Sequence, residues 1–536
     1  MNMGIYVNPG NAGFKRIAGP DYVDKTMLIS LINERINTEN SLICVSRPRR
    51  FGKSYAANML SAYYDCTCDS HELFDDKKIS GADSYEKHLN QYHVVNLDIT
   101  SFLSEVKSRR KPLLEVPEMI IEAIHDDLME MVPSLPPCKT LNDALTKFVE
   151  VSGGKQIIFI IDEWDAMIRE AKNDPEAQEA YLNLLRGWFK NNSFTRKVVA
   201  AAYMTGILPI KKEGSQSAIS DFDEFTMIKP LKFGGYVGFT EAEVKVICEK
   251  KNADFKMMKK WYDGYSFKGV GSVYNPNSVM KAIRNESFDS YWTETSAAEG
   301  LLDFISKDYN GMTKTIAELI GGVDVKVSTT GFANDLTTFR GKDDVLTLMI
   351  HLGYLAYDSV NETVRIPNEE IKKEFSKAVK LVNHRATLER LRESEQLFLD
   401  TINGNEEAVA AQIEKIHREE TAPLHYNKED SLRSVIKLAY YSYRDHYVQF
   451  EELAAGEGYA DVAYIPRHDS EWPALIIELK WKQDADTAIE QILRKKYPDV
   501  LQNFGTKILL VGISYDKDAA DQSKKHTCKI VAYKPE

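Results

Sequence analysis

Ser46-Arg47-Pro48-Arg49-Arg50-Phe51-Gly52-Lys53-Ser54 follows the apolar run Leu42-Ile43-Cys44-Val45 and leads into Tyr55-Ala56-Ala57-Asn58-Met59-Leu60, whose apolar spacing predicts a helix. A buried strand, a basic glycine-containing loop and a helix start, in that order, predict a phosphate-binding loop. In such a loop the backbone N–H groups around Gly52 and Lys53 face a phosphate, Lys53 neutralises the β and γ phosphates, and the Ser54 hydroxyl ligates Mg²⁺. The usual pattern has glycine five residues before Gly52, and here that place is Arg47. Arg49 and Arg50 add two cations near the phosphates. The alternative reading is a basic surface turn that precedes a helix.

The second signal is Gln156-Ile157-Ile158-Phe159-Ile160-Ile161-Asp162-Glu163, an apolar strand that ends in two carboxylates, as a central parallel strand would. Ligands of an open α/β sheet bind at the carboxyl ends of its strands, so both acids are expected beside the phosphate loop. There Asp162 would hold Mg²⁺ and Glu163 would polarise the attacking water. Capping of the next helix is the alternative. Tyr92–Ile99 and Lys197–Met204 read as further strands, the latter running into Thr205-Gly206. Lys25–Asn37 reads as a helix with Asp24 as its N-cap.

Asp24-Lys25-Thr26, the Arg47–Ser54 string, Ile161-Asp162-Glu163-Trp164-Asp165, Thr205-Gly206-Ile207, Tyr262-Asp263-Gly264-Tyr265 and Tyr274-Asn275-Pro276 together resemble the AAA-ATPase-like family of AAA+-related P-loop ATPases. The resemblance runs from Phe14 to about residue 285. It accounts for Arg47, because the family loop has arginine there, and it puts Thr205 at the sensor position. It also implies ATP and Mg²⁺ as cofactors, and a PD-(D/E)xK nuclease-like domain at the end of the chain.

That expectation meets a matching pattern. Gly458–Ile465 reads as a strand carrying Asp461, and Ala474–Trp481 as a strand whose period-two alternation sets Glu478 and Lys480 on one face. Asp461 and Glu478 would share one Mg²⁺ with the Leu479 carbonyl, while Lys480 orients or helps deprotonate the attacking water. A helix over Ala485–Lys496 and a strand over Lys507–Ile513 complete an order that resembles the nuclease fold. By that resemblance Gln491 and Tyr497 match the version joined to these ATPases, and the first-helix acid is Glu429 or Asp430. Arg494-Lys495-Lys496 is a local basic cluster, for phosphate contact or as a solvated helix end.

Between these regions, Glu241–Lys260 reads as helical and Trp261–Pro276 as a turn-bearing part of a lid. Asp343–Gly353 followed by strands Tyr354–Asp358 and Thr363–Pro367 is a winged-helix pattern, yet its helix carries no Lys or Arg for reading DNA. An intramolecular relay of nucleotide state is favoured for it. Glu370–His417 reads as charged helices broken at Asn403-Gly404-Asn405.

The fold class expected is therefore α/β: an N-terminal P-loop NTPase parallel sheet with helical lid and winged-helix-like module, then a C-terminal α/β restriction-endonuclease-like domain. The boundaries are 1–235 for the ATPase core, 236–299 for the lid, 300–370 for the winged-helix-like module, 371–428 for a helical connector and 429–536 for the nuclease-like domain. A chain of 536 residues suggests three to four domains by length alone.

A net charge of −12 argues against bulk coating of nucleic acid, although residues 431–536 are nearly charge-balanced. Six scattered cysteines make no metal or redox pattern, and no apolar run approaches a membrane span or a signal peptide, so a cytoplasmic protein with no membrane partner is expected. The leading function is an ATP-binding, hydrolysing regulator coupled to a Mg²⁺-dependent nuclease acting on DNA or RNA. The alternative is a non-catalytic nucleotide switch or scaffold that binds nucleic acid or a protein, and a motor ranks last for want of further motor motifs. Self-association as a homo-oligomer is common among such ATPases, but no arginine finger can be picked.

Overall fold

The computed structural model describes residues 3–210, 219, 221–292, 311–332, 339, 341–381, 385–420, 436, 440, 447–455, 458–466, 472–500, 507–516 and 525–533. The chain divides into two compact units, residues 1–298 with 326–374 and residues 299–325 with 375–536.

The first unit is built on five strands: β1 (Leu42–Ser46), β2 (His93–Asp98), β3 (Ile157–Asp162), β4 (Val199–Gly206) and β5 (Asp223–Phe225). They pair in parallel in the order β2-β3-β4-β1-β5. β1, β3 and β4 are buried along their whole length, which is why they read as unbroken apolar runs. The register puts Asp98 opposite Asp162, Asp162 opposite Thr205, and Thr205 opposite Val45. The carboxyl ends of four strands thus lie in one row, and the loop after β1 leaves from that row into helix α1 (Lys53–Tyr64).

Several local expectations shift. The first helix is shorter, Met27–Asn33, and Asp24 does not cap it directly; its carboxylate accepts from Thr26 N (2.9 Å), Thr26 Oγ1 (2.6 Å) and Lys78 N (2.8 Å), tying the turn before the helix. The lid segment is two helices, Glu241–Lys251 and Phe255–Tyr262, because Asn252 adopts φ 51° and Asp254 caps the second. A hairpin, Tyr265–Phe267 with Gly271–Tyr274, leads into a third helix, Pro276–Asn285. The winged-helix pattern appears as helix Lys342–Leu352, ended by Gly353, and an antiparallel hairpin of Ala356–Asp358 with Thr363–Arg365.

The second unit holds a mixed sheet of β6 (Tyr447–Ala455), β7 (Gly458–Pro466), β8 (Ala474–Trp481), β9 (Ile508–Tyr515) and β10 (His526–Tyr533), in that spatial order. Only β8 and β9 pair in parallel, and helix α2 (Ala485–Arg494) lies between them in sequence, as a parallel crossover requires. β10 is a strand that the apolar pattern alone did not single out. Helices Arg385–Ile402 and Glu406–Glu420, expected as a connector, contribute Leu397, Phe398, Val409 and Ile413 to the core beneath β7–β9. Glu429 and Asp430, the candidates for the first-helix acid, lie outside the described residues.

Candidate nucleotide and nuclease sites

Gly52 opens α1 with φ 91°, a conformation costly for a side chain, and a Cβ built there meets nothing within 4 Å. The glycine is therefore required by backbone twist and not by space. Lys53 folds back so that Nζ donates to the carbonyls of Arg47 (3.1 Å) and Pro48 (3.0 Å) and pairs with Glu163 Oε1 at 3.1 Å. A cavity of about 570 Å³ opens over the loop; its wall includes Arg50, Phe51, Gly52, Lys53, Ser54 and Glu163, with Tyr22 and Phe239 among the apolar groups. This volume falls in the range of small-molecule sites.

Asp162 lies behind that wall, hydrogen-bonded to Ser54, and its carboxyl is pushed up to about 6 chiefly by burial, with Glu163 and Asp98 adding to the rise. Glu163 sits at φ 52° and has its carboxylate held between Lys53 and Arg169, whose Nη2 donates to Oε2 at 2.6 Å. Burial acts to raise its pKa, but the Lys53 and Arg169 cations prevail and lower it. Phe51 is buried and packs edge-on to Tyr265, 5.5 Å between ring centroids. Arg50, at φ 67°, donates to the Tyr291 carbonyl (2.7 Å), and Arg49 contributes positive charge near Glu163 without reaching the cavity wall.

Arg47 and Thr205, expected at the nucleotide, are engaged inside the protein. Arg47 is fully buried: its guanidinium donates to the carbonyls of Ser46 (2.8 Å), Phe225 (2.9 Å) and Phe233 (3.4 Å) and lies over the Phe267 ring. A buried cation must find acceptors, and the carbonyls at the ends of β1 and β5 supply them, so it faces the protein and not the phosphate cradle. Thr205 is likewise buried and donates its hydroxyl to the Val45 carbonyl at 3.1 Å, joining β4 to β1.

In the second unit Asp461, Glu478, Lys480 and Gln491 come together. Asp461 Oδ2 accepts the Leu479 amide at 2.9 Å, Lys480 Nζ donates to Glu478 Oε1 (3.0 Å) and Gln491 Oε1 (2.7 Å), and Gln491 Nε2 donates to Glu478 Oε1. Glu478 is almost wholly buried; burial first and Asp461 second raise its pKa. Its Oε2 has no hydrogen-bond partner among the described residues. Gln491 reaches the strand because the crossover helix α2 packs across β8, a long-range contact.

Hard oxygen donors fit Mg²⁺ at both places, since that ion is commonly held by one or two carboxylates and completes its shell with water. The orphaned Oε2 of Glu478 is an acceptor in need of a cation, and Asp162 is a carboxyl that burial alone leaves costly to ionise. Among the described residues no three His, Cys, Asp or Glu side chains converge. The six cysteines are free, and no described helix is long and apolar enough to cross a membrane. Sequence reading quoted Asp165 within a motif but gave it no role, and passed over Arg169: the buried Asp165 carboxylate accepts the amides of Ile207 (3.1 Å) and Leu208 (3.0 Å), and Arg169 is bonded to it through Nε at 3.0 Å. The i,i+4 spacing of that pair is the signal that would have found it.

Comparison with known proteins agrees with this layout. The model of a predicted AAA-ATPase family matches residues 10–215, and that of the PD-(D/E)XK nuclease superfamily matches residues 427–524. An uncharacterised protein from the vnfD 5' region of Azotobacter chroococcum mcd 1 is 22% identical over 373 residues, 67% of this chain and 66% of the relative, so the chain spans just under two thirds of that relative's length. Among solved structures, a Walker-type ATPase of Pyrococcus abyssi is 12% identical with a TM-score of 0.33, covering 66% of this chain and 94% of its own. The ORC2 protein of Aeropyrum pernix is 11% identical with a TM-score of 0.25, over 68% and 98%. Both structural likenesses are distant and carry no functional weight. The chain thus carries, in this order, an AAA-ATPase-like region and a PD-(D/E)XK nuclease-superfamily region, the family and domain layout that its motifs resemble.

Proposed function

We propose that this protein binds and hydrolyses ATP at the Arg47–Ser54 loop and uses nucleotide state to regulate a Mg²⁺-dependent nuclease that cuts phosphodiester bonds in DNA or RNA. The observation that carries the reading is the contact set of Asp461, Glu478, Lys480 and Gln491, in which the buried Glu478 Oε2 has no hydrogen-bond partner among the described residues. Asp461 and Glu478 are the metal-holding pair. Lys480, held against Glu478 and Gln491, orients the attacking water at the edge of the carboxylates, and Gln491 fixes both side chains. Mg²⁺ bound there supplies charge neutralisation at the phosphoryl oxygens.

At the other site, Lys53 and Ser54 take the nucleotide phosphates and the metal, Asp162 backs Ser54 as the second metal-holding group, and Glu163 orients water for attack. Lys53 is engaged by Glu163 and two carbonyls, so arriving phosphates compete for it and release one carboxylate oxygen of Glu163. The regulatory half requires one arrangement of the protein to bind ATP better than another.

The test is cleavage of labelled single- and double-stranded DNA and RNA with Mg²⁺, with and without ATP, comparing the native chain with Glu478→Ala. Cleavage by the native chain that the variant lacks is expected. ATP hydrolysis without cleavage of any substrate would instead favour a nucleotide switch that binds without cutting.

A further inference from the structure

Glu163 follows Asp162 in a left-handed backbone conformation, φ 52°, which a glutamate adopts only when its surroundings hold it there. Two cations hold its carboxylate: Lys53 on Oε1 at 3.1 Å and Arg169 on Oε2 at 2.6 Å. They differ in what else they do. Lys53 belongs to the phosphate loop, lines the cavity and is the cation that phosphates would claim. Arg169 does not line the cavity; its Nε is anchored on Asp165 Oδ2 at 3.0 Å. Asp165 is itself fixed, fully buried and accepting the amides of Ile207 and Leu208 just beyond the end of β4. The Trp164 amide donates to the Thr205 carbonyl at 3.0 Å, so the turn that carries Glu163 is pinned from the same side.

From this geometry we infer that Arg169 is the positioning residue for Glu163: it keeps Oε2 fixed on the protein side so that Oε1, released when Lys53 turns to the phosphates, is the atom offered to the attacking water. The inference rests on the ATP-hydrolysing reading above. A planar guanidinium suits the task, because one edge nitrogen can hold Asp165 while another holds Glu163, and the two bonds fix its plane. Lysine, a point charge on a flexible stem, can replace the charge but not the second bond.

The experiment uses the full chain with Mg²⁺ and measures phosphate release and, by anisotropy, the affinity for a fluorescent ATP analogue, in the native protein, Arg169→Gln, Arg169→Lys, Glu163→Gln and the double variant Glu163→Gln/Arg169→Gln. The expected result is a fall in kcat of about a hundredfold for Arg169→Gln, the scale of a misplaced reacting group, with nucleotide affinity unchanged and partial recovery in Arg169→Lys. The double variant is expected to be no slower than Glu163→Gln, because positioning matters only while there is a carboxylate to position.

Native kcat in Arg169→Gln, a parallel loss of affinity and turnover, or additive losses in the double variant would each overturn the inference. Should Arg169→Gln fail to fold, Arg169→Lys decides: reduced kcat at unchanged affinity supports the role, and native kcat overturns it. A native chain that binds the analogue but hydrolyses nothing overturns the ATP-hydrolysing reading itself, and this inference with it.

Discussion

Glu370 is a buried carboxyl of the first unit whose ionisation bears on that unit's stability. Its carboxylate accepts from Ser278 Oγ (2.9 Å) and the Tyr291 amide (2.8 Å), and Arg50 of the phosphate loop holds the carbonyl of that same Tyr291. Burial pushes its carboxyl up to about 7 from an ordinary value of 4.5. A carboxyl raised in the folded state contributes stability that is fully present below the unfolded value and lost as pH rises through the folded one. Between pH 5 and pH 8 the native protein should therefore lose up to about 3 kcal/mol that Glu370→Gln, which keeps the acceptor and lacks the charge, does not lose. Urea unfolding of both proteins across that window checks this, and parallel pH profiles would refute it. Arg47 shows the limit of reading at this scale. Its place in the string is legible, but whether its guanidinium meets phosphate or the carbonyls of Phe225 and Phe233 depends on β5 and the segment after it, far along the chain.

At the scale of elements, the winged-helix pattern gains meaning from where its helix ends. Gly353 terminates Lys342–Leu352 at φ 84°, and a Cβ added there would stand 2.7 Å from Pro48 Cγ and 2.9 Å from Trp292 Cη2. The helix thus abuts the phosphate loop itself, and Tyr265, which packs on Phe51, donates its hydroxyl to the Gly353 carbonyl. Gly353→Ala should destabilise the first unit by about 2–4 kcal/mol, combining backbone strain with overpacking, and weaken nucleotide binding. Gly404→Ala, at φ 76° with open space around it, should cost only the strain, about 1 kcal/mol, and leave nucleotide binding alone. Denaturant unfolding and nucleotide titration of the two variants make the comparison, and equal effects would show that the contact with Pro48 is slack. Helix existence here was legible from apolar spacing. The break at Asn252 was not, because an asparagine in the left-handed region looks like any polar helix residue until its dihedrals are known.

For the whole molecule, the proposed control of cleavage by nucleotide state is testable as a coupling between the AAA-ATPase-like region and the nuclease-superfamily region. Lys53→Ala removes the loop lysine that lines the cavity and should abolish any effect of ATP on cleavage while leaving Asp461, Glu478 and Lys480 untouched; an unchanged ATP response in that variant would mean that ATP does not act through this loop. What the sequence by itself determined is whatever a short window can encode. That covers the strand, loop and helix around Gly52, the acids at the end of β3, and the alternation that sets Glu478 beside Lys480. Only the tertiary structure decided which partners those groups keep. It brought Gln491 to Glu478 across a crossover, Arg169 to Glu163 beside the end of β4, and helices Arg385–Glu420 into the core of the second unit. The physical reason is common to all three. Local periodicity records which face of an element is buried, whereas the partner on that face is set by how the surrounding turns, crossovers and helices pack, which periodicity does not record.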